Sequence, residues 1–336
     1  RIKNDECRMW NDECRMMNDE PKTVEPGGGM TIRQTLQSFV EGQPDDRDRV
    51  PLELGDRSLA IYPRSIVGIG EAVLFMGHGT PGRRLYVVSP IDDPLAARLE
   101  GTCLRWADAD GDQIRRCRLT HANATTIREA LAWTRPKPLG LADSFGLGDR
   151  LGIAGPAHLQ AMRDSGFEVV LAQQSIRELE RTERTPGEVM DAALWAVLQE
   201  GWRSGFGADA DHLKTPADVN RMAAAGFTMF TIDPGDHVVD AADLMSPAEL
   251  EAALEQLPWI GLGTTKDEAL ARYDDEKTEL GPDLALEPTR EEVRRAWVKY
   301  GAPIAHSATM YRHIAETMGN RPFEVEVSVD ETASVT

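Results

Sequence analysis

The chain has 336 residues, 41% of them hydrophobic, and 37 Lys and Arg against 56 Asp and Glu give it a net charge of −19. That length supports one large or two medium domains with proper cores, while the charge leaves no electrostatic footprint for nucleic acid or an anionic membrane. With no apolar run of roughly 18 residues and no signal-peptide pattern, the expected setting is the cytoplasm.

Residues 1–29 look foreign to the rest of the chain. Asn4-Asp-Glu-Cys-Arg-Met9 recurs as Asn11-Asp-Glu-Cys-Arg-Met16 without the apolar seam of a coiled coil. The segment reads as a disordered or non-native extension, with Met30 as the natural start. Of the four cysteines, Cys7 and Cys14 fall in this extension. Cys103 and Cys117 flank a hairpin and are expected to face each other across it as a reduced pair. The lack of a CxxC pair argues against a thiolate zinc site.

Residues 30–135 read as a β-rich domain, with strand-like segments at 57–62, 70–76, 83–89, 101–106 and 113–119 between turn signals. Gly77-His-Gly-Thr-Pro-Gly82 matches GxGxxG but leads into the strand Arg84-Leu-Tyr-Val-Val-Ser89. A dinucleotide site needs a helix N-terminus at that point, so a hairpin turn is the better reading. Asp108-Ala-Asp-Gly-Asp112 resembles a calcium loop, but its Gly comes too early and Leu119 occupies the position of the bidentate Glu. It too reads as a hairpin turn.

From residue 136 strands alternate with helices. Strands are expected near 139–145, Phe167–Ala172, Phe206–Asp211, Phe227–Asp233 and Phe323–Val329. Helix starts follow at Thr185-Pro-Gly-Glu188, Thr215-Pro-Ala-Asp218, Ser246-Pro-Ala-Glu249 and Thr289-Arg-Glu-Glu292. Alternation of this kind implies parallel strands with right-handed crossovers. Acidic tips at Asp149, Asp211, Asp233 and Asp330 favour a (β/α)8 TIM-type barrel over a doubly wound sheet, because one barrel mouth collects residues from many strands. Only five strands are legible, so 136–336 reads as a barrel incomplete at its C-terminus.

Chemistry concentrates in Gly205-Phe-Gly-Ala-Asp-Ala-Asp-His-Leu-Lys-Thr215, where Asp209, Asp211, His212 and Lys214 crowd the junction of a strand and a helix. Imidazole with oxygen donors and no thiolate is a ligand set for Zn, Mn, Ni or Co. Asp233 sits at the tip of the next strand. Asp149 and Arg150 form an adjacent pair, and Arg suits a substrate carboxylate. On 323–329 alternation sends Glu324, Glu326 and Ser328 to one face, with Glu331 at the lip. Such a face is either an acid-lined barrel interior or a solvated edge. Lone histidines on helices, His158, His306 and His313, read as core or capping residues.

Five stretches resemble the tagaturonate epimerase family: Ser144-Phe-Gly-Leu-Gly-Asp-Arg-Leu-Gly152, Ala172-Gln-Gln-Ser-Ile-Arg-Glu178, Gly207-Ala-Asp-Ala-Asp-His-Leu-Lys-Thr215, Phe230-Thr-Ile-Asp-Pro234 and Val327-Ser-Val-Asp-Glu-Thr332. The resemblance implies interconversion of D-tagaturonate and D-fructuronate, or of tagatose and fructose, by inversion at C4. It also implies a longer chain whose later segment adds strands and His-containing motifs. C4 is not α to the C2 ketone, which leaves retro-aldol cleavage and re-addition, or transient oxidation by a nicotinamide for which no site is legible. The retro-aldol route suggests a divalent metal ion held by His212 and Glu331, with Asp211, Lys214 and Asp233 moving the C4 hydroxyl proton. Arg150 would hold the uronate carboxylate and Gln174 would bond hydroxyls, with Asp149 and Asp209 as further substrate-binding candidates. The expected partner is thus a small keto-uronate or ketohexose. A metal-dependent barrel isomerase or hydrolase, and a truncated barrel that binds sugar acids without turnover, are the competing readings.

Overall fold

The computed structural model describes residues 30–41, 48–54, 57–79, 82–104, 111–273, 277–282, 284–330 and 332–333. It falls into two compact units, one built from residues up to Ala132 together with Trp195–Trp202, the other from Trp133–Leu194 and Arg203 onward. The extension and its two cysteines lie outside the described residues.

The first unit holds a seven-stranded sheet in the order β1-β2-β4-β5-β7-β6, with β3 paired to β4. Its strands are β1 (Val50–Leu54), β2 (Arg57–Ile61), β3 (Val67–Ile69), β4 (Ala72–Gly79), β5 (Gly82–Pro90), β6 (Gly101–Leu104) and β7 (Asp112–Cys117). All pairings are antiparallel, the arrangement that short connections permit. Gly79 pairs with Gly82, so the GxGxxG stretch is a hairpin, as its sequence context implied. The calcium-like loop joins β6 to β7, and most of it lies outside the described residues. Cys117 pairs across the ladder with Gly101 and Cys103 with Arg115, so the two cysteines are offset rather than facing; both are free thiols.

Three helices of this unit carry no expectation from the sequence: α1 (Ile32–Glu41), α2 (Pro94–Arg98) and α3 (His121–Ala130). In α1, Ile32 and Leu36 lie one turn apart and are buried among Val50, Leu52, Ile61, Val73, Phe75, Tyr86, Val88 and Ile114. The i, i+4 spacing sets them on one stripe.

The second unit contains five parallel strands in the order β14-β11-β10-β9-β8: β8 (Ser144–Gly146), β9 (Glu168–Ser175), β10 (Gly207–Leu213), β11 (Met229–Ile232) and β14 (Glu324–Val327). The main helices between them are α4 (Gly155–Met162), α5 (Ile176–Thr182), α6 (Pro186–Glu200), α7 (Pro216–Ala225), α8 (Pro247–Glu255), α9 (Trp259–Leu262), α10 (Lys266–Tyr273) and α11 (Arg290–Met318). A hairpin, β12 (Thr278–Gly281) with β13 (Leu284–Leu286), precedes α11. Strands running side by side in sequence order, with no reversal, make a half-barrel rather than a doubly wound sheet. Five strands form where five were expected, but β8 occupies only the end of the expected 139–145 run, and β11 and β14 are shorter than their apolar runs suggested; a complete barrel is not formed by the described residues.

Local chemistry sets the ends of these elements. Ser175, Thr215, Ser246 and Thr289 each build a capping box with the acid three residues on, satisfying donors that a helix start leaves free. Within α11, Pro303 has no N–H to give the carbonyl of Lys299, and that carbonyl instead accepts from Val239 N at 3.2 Å. The helix therefore continues through its proline while fixing the chain that leaves β11. No helix of the described residues is long and apolar enough to cross a membrane.

Candidate active site

One face of the half-barrel sheet is polar. Ladder pairs in a parallel sheet share a face, and Asp209 pairs with Gln173, Asp211 with Ser175, and Thr231 with Glu326. Thr231 Oγ1 donates to Asp209 Oδ1 at 2.9 Å, and Gln173 Nε2 donates to Oδ2 at 3.2 Å. Asp209 is only 2% exposed. Burial pushes its carboxyl up to about 6, and the neighbouring Asp211 adds to the rise, against the two hydrogen bonds. At the start of β14 the Glu324 carboxylate accepts from Leu139 N at 2.9 Å and also from Gly140 N. Glu324 thus ties the segment before β8 to the opposite edge strand, at the N-terminal end of the sheet. Glu326 pairs with Thr231 on the polar face, yet β14 is the edge strand of the described sheet and Glu326 is exposed, so that face is a solvated edge at this strand.

At the C-terminal ends of the strands this face opens into a cleft of about 750 Å³. Asp211, His212 and Lys214 from β10 and its end reach it, with Asp233 and Asp236 from the end of β11 and Asp330 after β14. The register between β10 and β11 slips between Ala210 and Leu213, and His212 takes φ 52°, one of two non-glycine residues described there. A left-handed backbone at a residue with a ring side chain costs about 1–3 kcal/mol. The bulge re-aims the side chain at the strand tip.

What the bulge achieves is visible in the bonds. His212 Nδ1 lies 2.7 Å from Asp211 Oδ1, and Nε2 lies 2.8 Å from Asp330 Oδ2. Partial burial pulls the imidazole pKa down, but hydrogen bonds to Asp211 and Asp330 outweigh it and carry it up to about 8. Asp330 is lowered in turn, chiefly by its bond to His212. Beside this triad, Lys214 Nζ bonds Asp236 Oδ1 at 2.7 Å and stands 3.6 Å from Asp233 Oδ2. The bond to Asp236 raises the ammonium further. Asp233 is fixed by Gly235 N, which donates to its Oδ1 at 2.8 Å. The result is an alternation of acids and cations along one rim.

Several residues singled out in the sequence stand elsewhere. Asp149 accepts from the N–H groups of Gly152, Ile153, Ala154 and Gly155 at 2.8–3.2 Å, so its carboxylate organises the entry to α4 rather than a substrate. Gln174 is fully buried; its Oε1 accepts from Arg184 Nη1 at 3.1 Å and its Nε2 donates to Thr182 Oγ1. It points away from the cleft because β9 alternates, and Gln173 takes the inner position. Asp209 lies beneath the cleft and does not line it. Arg150 does line it, though its Nε is paired with Glu178. Glu331 lies outside the described residues. The cleft also holds a residue that sequence reasoning passed over: Arg177 lines it and has no carboxylate partner among the described residues. Its place two residues past a strand end was the available signal.

A divalent metal implied by the family resemblance can be tested against these donors. With Nδ1–H held by Asp211, a neutral His212 presents Nε2 beside an oxygen of Asp330. A carboxylate–imidazole arrangement of that kind orients metal-bound histidines, so the donors fit in kind. Among the described residues no three His, Cys, Asp or Glu side chains gather closely enough to hold an ion by themselves.

Comparison with known proteins agrees with this fold. The profile of the UxaE tagaturonate epimerase family matches residues 62–336. A tagaturonate/fructuronate epimerase of Thermotoga maritima is 41% identical over 230 residues, which is 68% of this chain and 45% of that protein. Crystal structures of the fructuronate-tagaturonate epimerase UxaE from Cohnella laeviribosi superpose with a TM-score of 0.72. The native form is 33% identical over 83% of this chain, the form with one glycerol 34% identical over 82%; each match covers 54% of the crystallised chain. The chain thus spans about half the length of these relatives.

Proposed function

The chain belongs to the tagaturonate epimerase family, and from that premise we propose that its strand-end cleft interconverts D-fructuronate and D-tagaturonate by inverting C4. The observation that carries this is the rim itself. His212 clamped between Asp211 and Asp330, and Lys214 between Asp233 and Asp236, gather proton donors and acceptors at the mouth of a parallel half-barrel, where barrel enzymes assemble their sites.

The chemistry asks for little more than proton placement. In a retro-aldol step the C4 hydroxyl loses its proton, the C3–C4 bond breaks and its electron pair passes to C3 and the C2 carbonyl. The C4 aldehyde then turns over and bond formation from its other face returns the proton. In this reading Asp233 accepts that proton. The Lys214 ammonium, 3.6 Å away, stabilises charge on the C4 oxygen and can return a proton to it. A divalent metal, held by His212 Nε2 and Asp330 with Asp211 behind the ring, would supply Lewis-acid polarisation of the C2 ketone. Glu331, next in sequence to Asp330, is a further ligand in this reading. For the uronate carboxylate, Arg177 is the better candidate, since Arg150 is already paired. The planar guanidinium of Arg177 can take both carboxylate oxygens.

Substitution separates the rim from its surroundings. Asp233→Asn and Lys214→Met are each expected to lower turnover of fructuronate by about 10²–10⁴, the range for removing a general acid or base. Gln174→Ala should leave KM unchanged, because that side chain faces away. A Gln174→Ala variant that fails to bind substrate, or an Asp233→Asn variant with full turnover, would sink the assignment.

A further inference from the structure

The β-rich unit carries a cluster of charge opposite in sign to the chain as a whole. Arg84, Arg116 and Arg118 line a cleft of about 340 Å³ together with Thr102, Thr120 and Glu100. Their convergence follows from register. Tyr86 and Thr102 both pair with Arg116, and Leu85 pairs with Cys117. Arg84 and Arg118 flank that last pair, so the two-residue period of the strands sets Arg84, Tyr86, Arg116 and Arg118 on one face. Further along the same face Val88 and Ile114 are core; past the buried ring of Tyr86 it becomes cationic.

None of these three guanidinium groups has a carboxylate partner among the described residues. The Arg84 guanidinium donates from Nη1 to the carbonyl oxygen of Arg83, at 2.7 Å. Elsewhere in the unit Arg33, Arg64 and Arg98 each pair with an acid, and the chain has acids in excess. Like charges set opposite one another across strands are destabilising. Three arginines thus line one cleft of a chain with net charge −19, with Glu100 the one acid among the cleft's lining residues.

We propose that this cleft binds a phosphorylated small molecule. A carboxylate is matched by a single guanidinium fork, whereas three guanidinium groups lining one cleft match the several acceptor oxygens and double charge of a phosphate monoester. The volume exceeds that of a lone phosphate and leaves room for a sugar-sized group. The site belongs to the β-rich unit and uses none of the residues assigned to epimerisation.

Calorimetric titration of the whole chain with a hexose 6-phosphate, with inorganic phosphate, and with chloride at matched ionic strength tests this. Saturable heat is expected from the hexose phosphate, with inorganic phosphate competing for the same site. Equal affinity for the two would identify phosphate itself as the ligand group recognised. Arg116→Gln and Arg118→Gln should each weaken binding about tenfold or more, the effect of losing a hydrogen bond to a charged group. Their melting temperatures without ligand should equal or exceed that of the unsubstituted chain, because repulsion is relieved. Heat that follows ionic strength alone, or affinity unchanged in both variants, overturns the proposal.

Discussion

At the scale of single residues the decisive fact is what each carboxylate faces. Asp209, Asp211 and Asp149 look alike in sequence, each acidic and near a strand end. One is buried below the cleft, one holds the ring of His212 and one caps a loop with four backbone hydrogen bonds. Asp209 makes a prediction about stability. Its folded pKa, about 6, is raised above the usual 3.8 by burial, so the folded state binds this proton more tightly than the unfolded state. The stabilisation from that proton is complete below pH 3.8 and is lost as pH rises through about 6. The loss is on the order of 3 kcal/mol, from roughly two pKa units. Asp209→Asn should remove it: urea melts at about pH 5 and about pH 8, on either side of the folded value, should show the variant gaining on the unsubstituted chain at the higher pH. A variant that loses stability equally at both would contradict the burial argument. Side-chain direction was the part of the site that the sequence left open. Spacing drew attention to the Asp211–Lys214 cluster and to Asp233, all of which reach the cleft. It picked Gln174 where Gln173 takes the inner position, because a bulge in β9 opposite Gly207 and Ala208 resets the alternation.

Elements carry the site by where they start. Thr215 caps α7 directly after Lys214; its hydroxyl accepts from Asp218 N at 3.3 Å, while the Asp218 carboxylate takes Thr215 N at 2.9 Å. Thr215→Ala should cost about 1 kcal/mol in a denaturant melt, and because the cap anchors the residue beside Lys214 it should also lower turnover. A variant with normal stability would show that the cap is dispensable. Gly201, at φ 59°, has the Arg64 carbonyl oxygen so close to where a Cβ would sit that any side chain collides with backbone. Gly201→Ala should therefore destabilise the β-rich unit by on the order of 2 kcal/mol or more, again read by denaturant. Cap signals made the helices after 136 legible: Thr215, Ser246 and Thr289 are all where their boxes predicted. In the β-rich unit, α1 and α3 escaped notice. Helix α1 is short with a narrow apolar stripe, and α3 carries Asn123, Thr125 and Thr126, weak helix formers that packing against the sheet rather than pattern settles.

For the whole molecule, strand order is what the sequence conveyed best. Five apolar runs with polar tips became five parallel strands in sequence order, because parallel neighbours need long crossovers and the helices between them supply these. The polar interior face then follows from alternation, and the cleft at the strand ends follows from the polar tips. A rim assembled from three strand ends works only while those ends hold their spacing. For that reason Glu324, which ties the segment before β8 to the start of β14, should matter to activity from the opposite end of the sheet. Glu324→Gln is expected to loosen the melt and lower turnover together, whereas a loss of turnover with an unchanged melt would point to a direct role instead.

The most direct measurement is proton NMR of D-fructuronate incubated with this chain in D2O, with a divalent metal and with EDTA. The account predicts that tagaturonate signals grow in with protium retained at C4, since retro-aldol cleavage never breaks the C4–H bond. Failure to form tagaturonate, or deuterium appearing at C4 of the product, would contradict it.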